Sequence, residues 1–248
     1  MSDDRPDLAA LERVAHEVAA EWNVELGEPF ALGRYSFVAS ADDAVLKVTP
    51  PDDDESDEEA EALALWDGDG AVRLLRHDGG RRALLLERAV PGDDLSSLSE
   101  DEATAIAVDV ATRLWCPAAE PFRWIGDHVP RWLEAAEGEL GARARELYAS
   151  LDVGRATLAH GDLHHHNVLL SSRGWLAIDP KPMLGEPEYD VPSFLWNPLP
   201  CRLRVEHLES RLAAFSAAGL DEGRMRTWTV IRGSYLQPQE ADTLLALL

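Results

Sequence analysis

The apolar positions Leu8, Leu11, Val14, Ala15 and Val18 recur at helical spacing and predict an amphipathic helix over residues 7–22. Three short β-type runs follow, at Phe30–Leu32, Ser36–Ala39 and Ala44–Val48, broken by Gly33-Arg34-Tyr35 and Asp42-Asp43. Pro50-Pro51-Asp52-Asp53-Asp54 stops that pattern. Ser56, with Glu59 three residues on, has the form of a capping box opening a helix that runs to about Trp66. Val72–Leu75 and Ala83–Glu87 flank Asp78-Gly79-Gly80, a hairpin turn. Val90-Pro91-Gly92-Asp93-Asp94 reads as a hinge.

Beyond the hinge the period changes. Helices are predicted over residues 99–115 and 127–150. Val168–Leu170 and Trp175–Ile178 form a small hairpin around Ser171-Ser172-Arg173-Gly174, and helices resume over 204–217, 221–236 and 238–247. The chain has 248 residues, enough for two modest lobes. The expected fold class is therefore α+β, with a small strand-rich lobe over 1–90 hinged to a larger helical lobe over 91–248.

Charge narrows the partners. Lys plus Arg total 23 against 46 Asp plus Glu, a formal net charge of -23. Such a field repels nucleic acid and anionic lipid, so neither is an expected partner. A GC-rich genome and a high-salt cytoplasm account for the composition equally well. No apolar run is long enough to span a bilayer, and Met1-Ser2-Asp3-Asp4-Arg5-Pro6 has no leader character. Two distant cysteines, Cys116 and Cys201, make no disulfide framework, and a reducing cytoplasm is the expected location. Only Lys47 and Lys181 are lysines.

The richest chemistry lies in Leu158-Ala159-His160-Gly161-Asp162-Leu163-His164-His165-His166-Asn167-Val168, with Asp179 twelve residues beyond Asn167 at the far end of the predicted hairpin. A hairpin returns the chain by its own length, so Asp162, Asn167 and Asp179 can meet at one end. Two carboxylates and an amide oxygen suit Mg2+, a cation commonly shared with phosphates. The spacing His-x-Asp-Leu-x-x-x-Asn is also that of the protein-kinase catalytic loop, with Asp as base and Asn as metal ligand. Pro180 follows Asp179 where protein kinases carry Phe-Gly, and Gly161 replaces their Arg, which points to small-molecule kinases. Three consecutive histidines raise a zinc alternative, but neighbouring residues rarely aim at one metal and no HExxH-type helix is present.

The block His160–Asn167, with Trp175-Leu176-Ala177-Ile178-Asp179-Pro180-Lys181-Pro182, Gly185-Glu186-Pro187-Glu188-Tyr189-Asp190 and Leu195-Trp196-Asn197, resembles the aminoglycoside phosphotransferase superfamily. Within it, the resemblance is to the branch of streptomycin 6-phosphotransferases and hydroxyurea phosphotransferases, and Leu65–Leu75 shares it. It is dense over about 155–197 and loose in the C-terminal helices. The resemblance implies a protein-kinase-like two-lobed fold. It implies transfer of the ATP γ-phosphoryl group, with Mg2+, to a hydroxyl of a small, cationic acceptor. Asp162 would be the base, and Asn167 and Asp179 would hold the metal. Asp190 would brace the loop through backbone amides, and His160 would pack beneath it.

For the nucleotide, Lys47 in Val45-Leu46-Lys47-Val48 has the place of the strand lysine that contacts α- and β-phosphates. The resemblance makes Glu59 its partner, with Glu61 as fallback should the capping box occupy Glu59. The phosphate loop Leu32-Gly33-Arg34-Tyr35-Ser36-Phe37 has one glycine, so phosphate cradling by Gly33 and Ser36 is a reduced version of the usual loop. Adenine would be held by the backbone around Glu87 and Ala89. Lys181 either meets a phosphate or the acceptor, or neutralises carboxylates; Glu186 and Glu188 could meet acceptor cations, and Trp196 could line its pocket. A metabolic kinase for an amino-alcohol or sugar, or a nucleotide-binding pseudokinase, stay open as alternatives.

Overall fold

The computed structural model describes residues 7–30, 35–198 and 205–248. Two compact units emerge: Met1–Gly92 with Leu170–Leu176, and Asp93–Leu169 with Ala177–Leu248.

In the first unit, helix α1 (Leu8–Trp22) is capped by the Asp7 carboxylate, which accepts the Ala10 N–H, and it ends where Asn23 turns left-handed. Strands β1 (Leu26–Pro29), β2 (Phe37–Ala41) and β3 (Ala44–Val48) follow, then α2 (Glu59–Trp66), β4 (Leu74–Asp78) and β5 (Ala83–Glu87). They build an antiparallel sheet in the order β1-β2-β3-β5-β4. β1 begins earlier than the Phe30–Leu32 run; residues 31–34, Gly33 among them, lie outside the described residues. Leu11, Ala15 and Val18 of α1 pack with Phe37, Ala39, Leu46 and Val48, burying the apolar stripe of the helix. Pleat alternation sends Lys47 to the opposite face from Leu46 and Val48.

The expected Ser56–Glu59 capping box does not form. Ser56 closes a 3-10 turn with its hydroxyl donating to Asp53 Oδ2 at 2.8 Å, and α2 starts only at Glu59. Glu58, not Ser56, stands at the N-cap of α2, so Glu59 is its first residue rather than its third. A capping box is present elsewhere, at Ser99 and Glu102, where it opens the first helix of the second unit.

The second unit contains α3 (Glu100–Leu114), β6 (Cys116–Pro117), α4 (Ile125–Glu134), α5 (Gly138–Ala149) and β7 (Thr157–Ala159). The hairpin β8 (Val168–Ser171) and β9 (Gly174–Ala177) follows, its tip belonging to the first unit. β10 (Met183–Gly185), α6 (Val191–Leu195), α7 (Val205–Ala217), α8 (Glu222–Leu236) and α9 (Ala241–Leu245) complete it. The predicted 127–150 helix is two helices: Gly138 has φ +69°, and Arg145 closes the end of α4 by donating to the Leu133 and Ala136 carbonyls. Trp228 and Ile231 on α8 pack into a core with Ile125, Val129 and Tyr189. β7 pairs antiparallel with β10, Ala159 opposite Met183. That register sets His160, just past β7, against Lys181, just before β10, and the Lys181 N–H donates to the His160 carbonyl at 2.8 Å.

Candidate active site

In the second unit the loop after β7 is fixed by backbone bonds to buried side chains. Asp190, 1% exposed, accepts the His160 N–H on Oδ2 at 2.8 Å and the Gly161 N–H on Oδ1 at 2.6 Å. The Trp115 indole N–H also donates to Asp190 Oδ2, at 2.9 Å. Gly161 has φ +85°, and a Cβ there would lie 1.9 Å from the Lys181 carbonyl oxygen. Only glycine fits both the conformation and the approach, which explains the absence of a larger residue at this place.

His160 is fully buried and bridges the loop to the end of the hairpin. Its Nδ1 accepts the Asp162 N–H at 3.3 Å, which leaves the ring proton on Nε2 to donate to the Ile178 carbonyl at 3.1 Å. Burial holds its pKa below the ordinary histidine value, in keeping with a neutral ring that donates once and accepts once.

Asp162 keeps 37% of its side-chain surface open. Burial of the rest acts to raise its pKa, but the neighbouring His164, whose Nε2 is 3.6 Å from Oδ2, together with Arg232 and His160, outweighs it. The net result is a carboxyl below its ordinary value, ionised at neutral pH. Asn167, 8% exposed, donates from Nδ2 to the Asp162 carbonyl at 2.9 Å, which turns its Oδ1 away from that bond. The Ile178 N–H donates to the Asn167 carbonyl at 2.9 Å, so the residue before Asp179 is tied to Asn167. Asp179 has φ +53°, a left-handed conformation that aspartate tolerates better than most residues. Asp162, Asn167, Asp179, His160 and Asp190 thus gather on one framework. The side-chain oxygens of Asp162, Asn167 and Asp179 are the hard donors that Mg2+ takes.

The rings of His164 and His166 meet edge to face with centroids 5.9 Å apart, while His165 packs elsewhere. His164 faces Asp162. His165 stacks on Phe194 with ring centroids 4.3 Å apart, and burial, reinforced by the Arg211 charge, lowers its pKa to about 3. His166 Nδ1 is 2.6 Å from Asp94 Oδ2.

Two acceptor-side expectations, Glu186 and Trp196, are corrected. Glu186 is occupied by Arg224 at 2.5 and 2.9 Å and by the Trp228 indole N–H at 2.5 Å. Glu188 accepts the Asp221 N–H at 3.1 Å. Trp196 is 4% exposed and belongs to the core. Arg224 and the Trp228 indole satisfy Glu186, and burial encloses Trp196, while Glu188 keeps acceptor capacity beside its one bond.

In the first unit Lys47 Nζ donates to Glu59 Oε2 at 2.6 Å, with both residues buried. Glu61, the fallback, is exposed on α2. Lys47 is held in the sheet between Val38 of β2 and Leu84 of β5. Ser36 is buried just before β2. The Glu87 side chain is taken by Arg173 at 2.6 and 2.8 Å, and its N–H donates to the Arg73 carbonyl. The Glu87 side chain and N–H are thus both occupied. Burial and these cationic bonds set its charge state, with the Arg173 hydrogen bond dominating and lowering its pKa.

Sequence reasoning missed Trp115, Arg232 and Asp94. Trp115 lies 75 residues from Asp190 in sequence, and no local pattern signals such a contact.

Comparison with known proteins adds an independent finding. Over residues 35–237 the chain matches the family described as aminoglycoside/hydroxyurea antibiotic resistance kinase. It is 36% identical over 243 residues to a hydroxyurea phosphotransferase of Kitasatospora aureofaciens, covering 89% of this chain and 70% of that protein. It is 31% identical over 247 residues to a streptomycin 6-kinase of Streptomyces glaucescens, covering 90% of this chain and 80% of that one. Its α+β fold is similar to that of APH(2″)-IIa in a ternary complex with streptomycin and ATP, with TM-score 0.59 and 15% identity over 94% of this chain and 97% of that one.

Proposed function

The chain belongs to the aminoglycoside/hydroxyurea antibiotic resistance kinase family, and from that premise we propose that it transfers the γ-phosphoryl group of ATP to a hydroxyl of a small acceptor, a streptomycin-like aminoglycoside or hydroxyurea. The observation that carries the proposal is the framework joining Asp162, Asn167 and the residue before Asp179 through the Asn167 amide and the Ile178 N–H. Phosphoryl transfer needs alignment and charge neutralisation more than covalent help, and rigidly held oxygens serve that need.

Asp162 is the base. Its ionised carboxylate accepts the acceptor's hydroxyl proton as the new O–P bond forms and the bond to the ADP oxygen breaks. Asn167 Oδ1 and the Asp179 carboxylate would hold Mg2+. Bound there, the ion would neutralise charge on the phosphate oxygens. Asp190 and His160 keep the loop in place. Residues 1–90 hold the nucleotide: Lys47, fixed by Glu59, meets the phosphates, and Gly33 and Ser36 lie in the loop over them. The Glu87 carbonyl and the Ala89 N–H offer an acceptor and a donor to adenine. Residues 91–248 supply the base, the metal ligands and the acceptor site.

The test is coupled ADP release with magnesium-ATP against streptomycin, other aminoglycosides, hydroxyurea and simple amino-alcohols. Acceptor-dependent release that disappears in Asp162→Ala, with nucleotide binding retained, is the expected result. Release that continues unchanged in Asp162→Ala refutes the assignment.

A further inference from the structure

We infer that Arg232 is a positioning residue for this transfer, holding the peptide between Gly161 and Asp162 so that the Asp162 carboxylate keeps its aim. The inference rests on the reading of Asp162 as the base. Arg232 lies on α8 and is 5% exposed. Its Nη2 donates to the Gly161 carbonyl at 2.9 Å and its Nη1 to the Tyr189 carbonyl at 2.8 Å, with the guanidinium 4.4 Å from the Tyr189 ring centroid.

The choice of residue is costly. A buried cation is ordinarily matched by a carboxylate, as Arg211 is by Glu100. Arg232 has no carboxylate within 4 Å among the described residues; the charges of Asp162 and Asp190 act on it from farther off, and its hydrogen bonds go to the Tyr189 and Gly161 carbonyls. Those two carbonyls immediately precede Asp162 and Asp190. One guanidinium therefore spans the peptide before the base and the peptide before the residue that braces the loop.

Gly161 shows why such a clamp is needed. Its φ of +85° and its closeness to Lys181 admit only glycine, the residue with the greatest backbone freedom. The residue that aims Asp162 is thus the one least able to hold its own conformation. Asp190 fixes its N–H end and Arg232 fixes its carbonyl end. On the far side of that peptide the Asp162 N–H has only the long 3.3 Å bond to His160 Nδ1. Of the two hydrogen bonds on this plane, the one from Arg232 is the shorter, 2.9 Å against 3.3 Å.

The experiment compares the full chain with Arg232→Met and Arg232→Lys. Two readouts are taken: steady-state ADP release, and hydrogen exchange of the peptide spanning residues 158–167. In Arg232→Met, kcat should fall about 10²-fold with KM for ATP unchanged, since a small misplacement of a reacting group costs about that much. Exchange of the loop should quicken. Arg232→Lys keeps a donor and a charge, so it should recover part of both losses; it also serves if the Met variant fails to fold. A Met variant with wild-type kcat overturns the inference, as does a Lys variant no better than Met with loop exchange unchanged. If the wild type itself turns over no acceptor, the base assignment fails separately. Loop exchange then decides alone: faster exchange in the Met variant upholds the clamp, and unchanged exchange overturns it.

Discussion

Replacing Asp190 by alanine should be among the most damaging single changes to the loop. The carboxylate accepts three hydrogen bonds, from the His160 N–H, the Gly161 N–H and the Trp115 indole. The first two donors are buried, and each left unsatisfied costs about 1–3 kcal/mol. The indole sits on a half-buried ring and loses roughly 0.5–1.5 kcal/mol. The sum, about 2.5–7.5 kcal/mol, is a large share of the roughly 5–15 kcal/mol that holds a domain folded. Asparagine keeps one acceptor oxygen but turns an NH2 toward a donor, so Asp190→Asn should lose about half as much. Urea unfolding measures this: with a slope of about 1–3 kcal/mol/M, the alanine midpoint should drop by roughly 2 M at unchanged slope. ADP release should fall in the same order, wild type above Asn above Ala. An alanine variant within about 1 kcal/mol of wild type would refute the claim that these three bonds hold the loop.

Gly161→Ala should lower the melting temperature and turnover together. It forces a side chain into φ +85°, at about 1–2 kcal/mol, and pushes its Cβ against the Lys181 carbonyl. Thermal unfolding with parallel ADP release checks it. Lys47→Met should reduce kcat/KM for ATP by about 10²–10³, the range for losing one charge-stabilising donor, and Glu59→Gln by less, since the ammonium survives. Steady-state kinetics at varied ATP separate the two. Glu100 offers a pH test. The hydrogen bond from Arg211 holds its pKa below the ordinary glutamate value of 4.5, so the pair's stabilisation is complete above 4.5 and lost as pH falls through the lower folded value. Acid unfolding of wild type should therefore be steeper below 4.5 than that of Glu100→Gln, which should already be less stable at neutral pH.

The placement of the candidate site residues was legible where it was local. His160–Asn167, Asp179 and Lys47 stand in short spacings that the hairpin and the strand alternation convert directly into position. The α3, α7 and α8 helices were legible from their period and differ from expectation by a residue or so at their ends. Three kinds of feature were not legible. β6 and β10 are two and three residues long, too short to leave a pattern, yet the β7–β10 register is what sets His160 against Lys181. The break between α4 and α5 is made by a left-handed glycine and an arginine donating 9 and 12 residues back, inside an otherwise continuous apolar period. Arg232 reaches the loop from 71 residues away, and Trp115 reaches Asp190, which braces it, from 75, where sequence spacing carries no information. Glu186 misled for a related reason: a carboxylate reads as a ligand for cations, and only the fold shows that Arg224 and Trp228 already fill it.

The most direct test of the central claim is to follow γ-labelled ATP into product, with streptomycin and hydroxyurea as acceptors, in wild type and Asp162→Asn. Label transferred to an acceptor hydroxyl by the wild type, and absent with the Asn variant although both bind magnesium-ATP, is the predicted result. Label that reaches the acceptor equally in both, or that appears only as inorganic phosphate from the wild type, would contradict it.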